Sequence, residues 1–363
     1  MKIMYVNLGT GVCGGVRIIC EHLNRLTERG HQCYMGVLSG EPVLDWMPIN
    51  FPIIGANQID AKAKDMDILV ATEANTAEPV AKMQTAAKKF YFIQMRESLF
   101  FVNGDPLWAG RVEANYKRLK GVLSPIVISW WLKDFLEEIY GYEDVPIVPN
   151  GLNEKMFYPD PAYPKGGLKR VLIEGHTHGE AKDIRGMAKA VVDAYRKQVH
   201  AVEVWGFSQL QPQGDFAFDA FSLLPSQDDV RRMYSSCDVL VKSSRFEGRS
   251  CIDVECMACG TAVVRAIDKG DDDLIHGYNC LKVGYDVEHP QKFKENVNKM
   301  FNHLVAILAE DRLRQGLVTN GLYYVKHNLR WPLFIDRLET IYDGGTPPPL
   351  PRTEHILEDE VED

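Results

Sequence analysis

Short apolar runs and longer amphipathic stretches take turns along most of the chain. "KIMYVNL" precedes "VRIICEHLNRLTERG", and "QCYMGVLS", "DILVAT", "KKFYFIQ" and "GVLSPIVIS" follow. Runs of four to eight apolar residues spaced by patterns of helical period predict parallel strands with helices on both faces. The rhythm pauses at "VPIVPNGLNEKMFYPDPAYPKGG", a Pro- and Gly-rich connection. It then restarts as "RVLIEG", helix "IRGMAKAVVDAYRK", "AVEVWGF", helix "QDDVRRMYSSC", "DVLVKSS", helix "CIDVECMAC" and "TAVVRA". Two βαβ domains are expected, over 1–148 and 149–325. Residues 291–343 read as helical, and 326–343 as a closing helix that packs back toward the first domain. The last stretch, 344–363, is Pro-rich and then acidic, with too few apolar residues for a core, so disorder is expected there.

Composition narrows the class. The 363 residues, 45% hydrophobic and 25% charged, suit a globular protein of two domains joined across a cleft. No apolar run approaches the length of a membrane span, and "MKIMYVNLG" reads as a buried first strand rather than a signal peptide, so a cytoplasmic location is expected. A net charge of −9 supplies no global attraction to nucleic acid or anionic lipid. The eight cysteines are scattered, and the lone C-x-x-C, Cys256 and Cys259, lies inside "DVECMACG", a setting that favours reduced structural thiols over zinc or redox chemistry.

Two short segments carry candidate chemistry. "GTGVCG", Gly9 to Gly14, follows a strand and opens a helix, as a dinucleotide fingerprint requires. The acid that should hold the ribose at the end of the second strand is missing, since Glu41 comes only after "QCYMGVLS". The same loop could instead let Gly14 and Gly15 approach a phosphate or sugar, with Arg17 in the first helical turn, or could be a plain tight turn.

"SRFEGRSCIDVECMACGTAVV" sets Glu247 before a helix start and Glu255 inside that helix. Ser250 to Asp253 has the S-x-x-D form of a capping box, with Ser250 as N-cap and Asp253 reaching back. Gly248 and Arg249 then stand at the helix N-terminus, where unpaired N–H groups receive an anion. Two carboxylates flanking an anion site suit a diphosphate with a sugar at each end, because each can accept hydrogen bonds from vicinal hydroxyls.

These residues resemble the E-x7-E segment of retaining glycosyltransferases of the GT-B fold, specifically family 4. "GGVRIICEHLNRLTERGH" is similar to the family's N-terminal glycine loop and helix, "VPNGLNEKMFYP" to its interdomain signature, "DDDLIHGYNCLKV" to the loop after E-x7-E, and "RWPLFIDRLETIY" to its closing helix. The resemblance runs in order over residues 1–343, and "YFIQMRESLFF" with "ISWWLKDFL" looks most like the rhamnosyltransferase branch. It implies two Rossmann-like domains, an acceptor side in the first and a donor side in the second. The implied substrates are a nucleoside diphosphate sugar, with UDP and GDP the bases considered, and an acceptor that the sequence does not identify. No cofactor is implied.

Carried over by position, the resemblance gives Glu255 the donor ribose and Glu247 the transferred sugar's hydroxyls. Backbone N–H groups of Gly248, Arg249 and Ser250 would approach the sugar or phosphates, with Arg245, Gly14, Gly15 and Arg17 as further donor contacts. The family's cationic loop appears as "GHTHGEAKDIRG". There His176 replaces an arginine, and Lys182 or Arg185 is left as the second cation, with Arg249 as a possible compensating charge. No histidine follows the fourth strand where relatives place one; "FIQMRES" puts Gln94, Arg96 or Glu97 nearby, while His176 and His178 could titrate near neutrality. Asp271, Asp272 and Asp273 invite a D-x-D metal reading, but they fall in the loop after "TAVVRA", and no metal is expected. Two rivals remain: an NAD-dependent oxidoreductase built on "GTGVCG", and a degenerate protein that binds sugar nucleotides without turning them over.

Overall fold

The computed structural model describes residues 1–100, 105–160, 167–174, 186–209, 211, 216–286 and 288–352. The chain divides into two compact units: Met1–Asn150 with Trp331–Leu350, and Gly151–Arg330 with the chain beyond Leu350.

Unit 1 is built on β1 (Lys2–Asn7), β2 (Gln32–Val37), β3 (Ile53–Gly55), β4 (Ile68–Ala71), β5 (Lys88–Ile93) and β6 (Ser124–Val127). They form one sheet in the order β3-β2-β1-β4-β5-β6, with every pair parallel. The helices are α1 (Gly14–Glu28), α2 (Ala56–Ala63), α3 (Ala74–Lys82), α4 (Pro106–Arg118) and α5 (Trp130–Tyr140), joined late in the chain by α11 (Trp331–Asp343). Helix α1 forms because Val16, Ile19, Cys20, Leu23 and Leu26 recur at helical spacing and are all buried. Its N-cap is Cys13, whose Sγ accepts from the Val16 N–H at 3.4 Å. Helix α11 returns to unit 1 through Trp331, Phe334, Ile335, Leu338 and Tyr342. The Tyr342 hydroxyl lies 2.6 Å from that of Tyr5 on β1, and Arg29 pairs with both Asp336 and Glu339 at 2.6 Å.

Unit 2 contains β7 (Arg170–Glu174), β8 (Glu203–Ser208), β9 (Ala220–Leu223), β10 (Val239–Phe246), β11 (Ala262–Lys269) and β12 (Leu281–Val283). Their order is β12-β11-β10-β7-β8-β9, again parallel throughout. Among the described residues its helices are α6 (Met187–Gln198), α7 (Gln227–Ser236), α8 (Cys251–Ala258), α9 (Pro290–Ala309) and α10 (Asp311–Asn328). Val171, Val239, Val241 and Val264 share one core with Met187 and Val191 of α6 and with Met300, Leu304 and Ile307 of α9. Helix α8 lies on the opposite face. Strands covered on both sides read as nearly unbroken apolar runs, and β10 and β11 do so over Val239–Val241 and Ala262–Val264 before Lys242 and Arg265 interrupt them.

The expected α/β class with two parallel sheets is the one observed. Strands β3, β9 and β12, three or four residues each at sheet edges, carry too short an apolar pattern to stand out in the sequence. The proposed start of the "IRGMAKAVVDAYRK" helix at Ile184 and most of the acidic tail, 353–363, lie outside the described residues.

One core residue of unit 1 makes stability pH-dependent. His22 is fully buried among Tyr5, Phe92 and Trp331, with Nδ1 3.2 Å from the Tyr5 hydroxyl. Burial, with a smaller push from Arg25, drives it from the ordinary 6.5 down to about 3. The folded chain therefore holds His22 neutral while the unfolded chain protonates it below pH 6.5. Its contribution to stability is complete above that pH and is lost as pH falls toward 3, at about 1.4 kcal/mol per pH unit. Thermal melts between pH 6.5 and 5 should show a falling Tm in the wild type and a shallower slope in His22→Phe; equal slopes would remove His22 as the cause.

Candidate functional site

In a doubly wound sheet the chain leaves the central pair of strands in opposite directions, and ligands bind outside the carboxyl ends of the strands at that point. Both units have the order that creates such a point, between β1 and β4 in unit 1 and between β7 and β10 in unit 2. In unit 2 the two strand ends deliver Glu174 and Phe246, and Glu247 follows immediately.

Glu247 is 6% exposed, yet its surroundings are polar. Three groups approach one of its oxygens, Oε1: the Ser244 hydroxyl at 3.0 Å, Lys242 Nζ at 3.2 Å and Arg265 Nη2 at 3.6 Å. Lys242 also lies 3.0 Å from Oε2 of Glu174, and Arg265 Nε donates to Asp253 Oδ2 at 3.0 Å. Glu255, 3% exposed within α8, accepts from the Tyr234 hydroxyl at 3.3 Å. Glu247, Gly248, Arg249 and Ser250 thus lead into the N-terminus of α8, and Glu255 lies inside that helix. Ser250 Oγ is buried there with no hydrogen-bond partner among the described residues.

Several side-chain roles read from the sequence are corrected. Ser250 is the N-cap of α8, but its side chain makes no capping bond, and Asp253 does not reach back. Asp253 is fully buried and turns to Arg265, whose charge outcompetes a backbone N–H for the carboxylate. The Arg249 guanidinium does not stand ready for a diphosphate. It grips Asp273 through both carboxylate oxygens, Nε to Oδ2 at 2.6 Å, and Asp273 also accepts from the Tyr324 hydroxyl at 3.0 Å. Burial alone would lower the Arg249 pKa, but Asp273 more than offsets it and the pKa is raised. Of the acidic triplet, Asp273 therefore pins the loop after β11 to the start of α8, and Asp271 pairs with Lys282 at 2.6 Å. Arg245 alternates onto the face of β10 opposite Lys242 and pairs with Glu288.

In unit 1, Gly14 and Gly15 open α1 at the end of β1. A Cβ on Gly14 would meet nothing within 4 Å, whereas one on Gly15 would lie 3.4 Å from the Gln94 amide. The β1 and β4 ends are laced together: the Thr72 hydroxyl donates to Asn7 Oδ1 at 2.7 Å, and the Leu8 N–H to Glu73 at 3.0 Å. Arg17, half-buried in the first turn of α1, donates its N–H to the Cys13 carbonyl at 3.1 Å. Of the residues after β5, Gln94 stands against Gly15 and Arg96 is held by Glu113 at 2.7 Å. Both oxygens of Glu97 lie 3.0 Å from the Ala74 N–H at the start of α3. Burial pushes Glu97 up to about 8; the Ala74 N–H pulls it down and Glu73 adds to the rise, so a carboxyl group titrates near neutrality in unit 1. The dinucleotide reading gains nothing here, because β2 ends at Val37 without an acid.

His176, His178, Lys182 and Arg185 lie outside the described residues. Cys256 and Cys259 are free and buried, and burial raises both thiols above their usual range. Among the described residues no helix is long and apolar enough to cross a membrane, and no group of three or more His, Cys, Asp or Glu side chains is placed to hold a metal ion. Sequence reading missed Lys242, Arg265 and Glu174. Their signal was a cation in each of two central strands, "DVLVKSS" and "TAVVRA", where burial on both faces should have excluded it.

No protein-family model matches the chain. Over 231 residues it is 25% identical to an uncharacterized glycosyltransferase of Methanocaldococcus jannaschii, MJ1178, covering 60% of this chain and 58% of that protein. The chain therefore aligns with less than two thirds of that relative. Among solved structures, sucrose-phosphate synthase from Thermosynechococcus elongatus superposes with a TM-score of 0.71 at 15% identity, covering 95% of this chain and 98% of that one. Anabaena HepE in complex with UDP-glucose gives 0.70 at 13% identity, covering 95% and 100%. WaaG, a glycosyltransferase involved in lipopolysaccharide biosynthesis, gives 0.66 at 14%, covering 94% and 100%. At these identities the likeness establishes the fold, and that fold is GT-B.

Gly270 shows how tightly the Glu247 turn is built. Its φ is +89°, and a Cβ there would lie 2.1 Å from the Glu247 carbonyl oxygen. Gly270→Ala should cost roughly 1–3 kcal/mol of stability, since both backbone strain and the collision act on it. Gly14→Ala, in open space at the first position of a helix, should leave Tm unchanged or slightly higher. Thermal melts of the two variants check this, and equal stability would mean the Gly270 turn relaxes without cost.

Proposed function

We propose that this protein is a retaining glycosyltransferase of the family 4 type that moves a sugar from a nucleoside diphosphate sugar to an acceptor hydroxyl. The observation that carries the reading is two buried carboxylates, Glu247 just before the α8 N-terminus at the switch point of unit 2 and Glu255 within α8. Backbone N–H groups at Gly248, Arg249 and Ser250 would take the diphosphate end, Glu255 the ribose and Glu247 the hydroxyls of the transferred sugar. His176, Lys182 and Arg185 would add positive charge toward the diphosphate.

In this mechanism the bond between the anomeric carbon and the diphosphate oxygen breaks while the acceptor oxygen bonds to the same face. The acceptor's proton passes to the departing diphosphate oxygen. Prepositioned dipoles and cations stabilise that oxygen as charge develops on it. Gly14, Gly15 and Arg17 keep the donor role that the resemblance gives them, and Gln94, Arg96 or Glu97 would stand nearby. The class of relatives supports transfer chemistry over hydride transfer, and the HepE complex makes UDP-glucose the first donor to test.

Melting curves with UDP, GDP, dTDP, ADP, their common sugars and NAD⁺ test the proposal. A nucleoside diphosphate at 100 times its Kd should stabilise the fold by about 2.7 kcal/mol. Stabilisation by NAD⁺ alone would overturn the reading, and binding without release of sugar or transfer would mark a degenerate binder. Glu247→Gln should lower turnover by about 100-fold or more while changing Tm by only a few degrees. Undiminished turnover would take Glu247 out of the mechanism.

A further inference from the structure

The charges beneath Glu247 form a row across three strands. Lys242 on β10 is the registered partner of Arg265 on β11, and registered neighbours in a parallel pair point to the same face. On the other side, Val239 pairs with Val171 and Leu240 with Leu172. Two residues further along, Glu174 stands level with Lys242, and their charged atoms are 3.0 Å apart. Lys242 is 3% exposed and Arg265 fully buried, and neither side chain reaches solvent.

Such a row is hard to explain as a source of stability. Two like charges on adjacent strands repel, and apolar residues of similar volume usually stabilise a core at least as well as a buried ionic cluster. A chemical role explains it better. Glu174 and Glu247 meet at one ammonium group, and two neighbouring carboxylates without a cation between them would share a proton. Ser244, Lys242 and Arg265 all address Oε1 of Glu247, and fixing one oxygen fixes the plane in which the other lies.

We propose that Lys242 is a positioning residue for Glu247: it anchors Oε1 and keeps Glu174 and Glu247 both ionised, so that Glu247 meets a donor sugar's hydroxyls as a purely accepting group in one orientation. The proposal rests on the reading of this site as a sugar-nucleotide site. Burial would strip Lys242 of its proton, but Glu174 and Glu247 more than reverse that, so its pKa is raised and it stays charged. The charged groups that face Glu247 among the described residues are Glu174 from β7, Lys242 from β10, Arg265 from β11 and, through Arg265, Asp253 from α8. Lys269 at the end of β11 meets it through the backbone, accepting the Glu247 N–H at 3.0 Å.

The test compares UDP with UDP-glucose, and GDP with GDP-mannose if only guanine nucleotides bind, by calorimetry on the full chain. Lys242→Met should leave affinity for the diphosphate within about 3-fold and weaken the sugar-bearing donor by about 10-fold or more at pH 7. That loss should shrink as pH rises and Glu247 ionises again. Lys242→Arg should recover most of the donor affinity. Lys242→Met with Glu174→Gln removes one charge of each sign, which protects folding, and should bind the donor better than Lys242→Met alone. Equal losses for diphosphate and donor, or a donor loss independent of pH, would overturn the proposal. If the wild type binds no sugar nucleotide at all, the transferase reading fails separately. The carboxyl ¹³C titration of Glu247, assigned by its disappearance in Glu247→Gln, then still decides: a midpoint that does not rise in Lys242→Met overturns the role given to Lys242.

Discussion

A carboxylate can remain charged inside a protein only where cations or N–H groups replace the water it has lost. That constraint organises unit 2. Glu247 follows the carboxyl end of β10, one of the two central strands, and that position removes most of its solvent. The sheet answers with Lys242 and Arg265 in register beneath it, and the helix that follows answers with its own N-terminus. Asp253 and Glu174 then balance the two cations, so the cluster draws in β7, β10, β11 and α8 together. The Arg249–Asp273 pair extends the same logic outward by fastening the loop after β11 to the turn that carries Glu247.

Unit 1 repeats the strand order but treats the equivalent point differently. Its strand ends are bound by neutral and singly charged hydrogen bonds, Thr72 to Asn7 and Leu8 to Glu73. No cation row lies beneath Glu97 among the described contacts, and that carboxyl is accordingly pushed toward the neutral form where Glu247 is furnished with cations. The same topology thus surrounds two buried carboxyl groups differently: cations approach Glu247, while burial raises the pKa of Glu97 to about 8.

What was legible in the sequence follows from how local each signal is. The alternation of strands and helices is written in runs of adjacent residues, and the two parallel sheets follow it. Side-chain partnerships are not local. Ser250 and Asp253 have the spacing of a capping box, but Arg265, twelve residues beyond Asp253, claims its carboxylate. Arg249 reads as a cation beside an anion site until Asp273 is seen to hold it. Lys242 passed unremarked because a lysine at a strand position ordinarily marks an edge or a solvent face, and only the strand order places it at the centre of a covered sheet. The rise of the Glu97 pKa depends on burial that no spacing encodes.

The return of α11 to unit 1 bears on how the chain is made. Tyr5 and Tyr342, whose hydroxyls touch across the first strand and the last helix, are 337 positions apart in the chain. During synthesis the strands of unit 1 precede unit 2, yet the parts of α1 and β1 that receive Trp331 and Tyr342 stay uncovered until unit 2 has been translated. Unit 2, contiguous from Gly151 to Arg330, has all its strands and helices before that helix arrives. The later-translated unit therefore has its described elements in place first, and the nascent chain carries an uncovered apolar seam on unit 1 while unit 2 is being made, a surface that a chaperone can recognise.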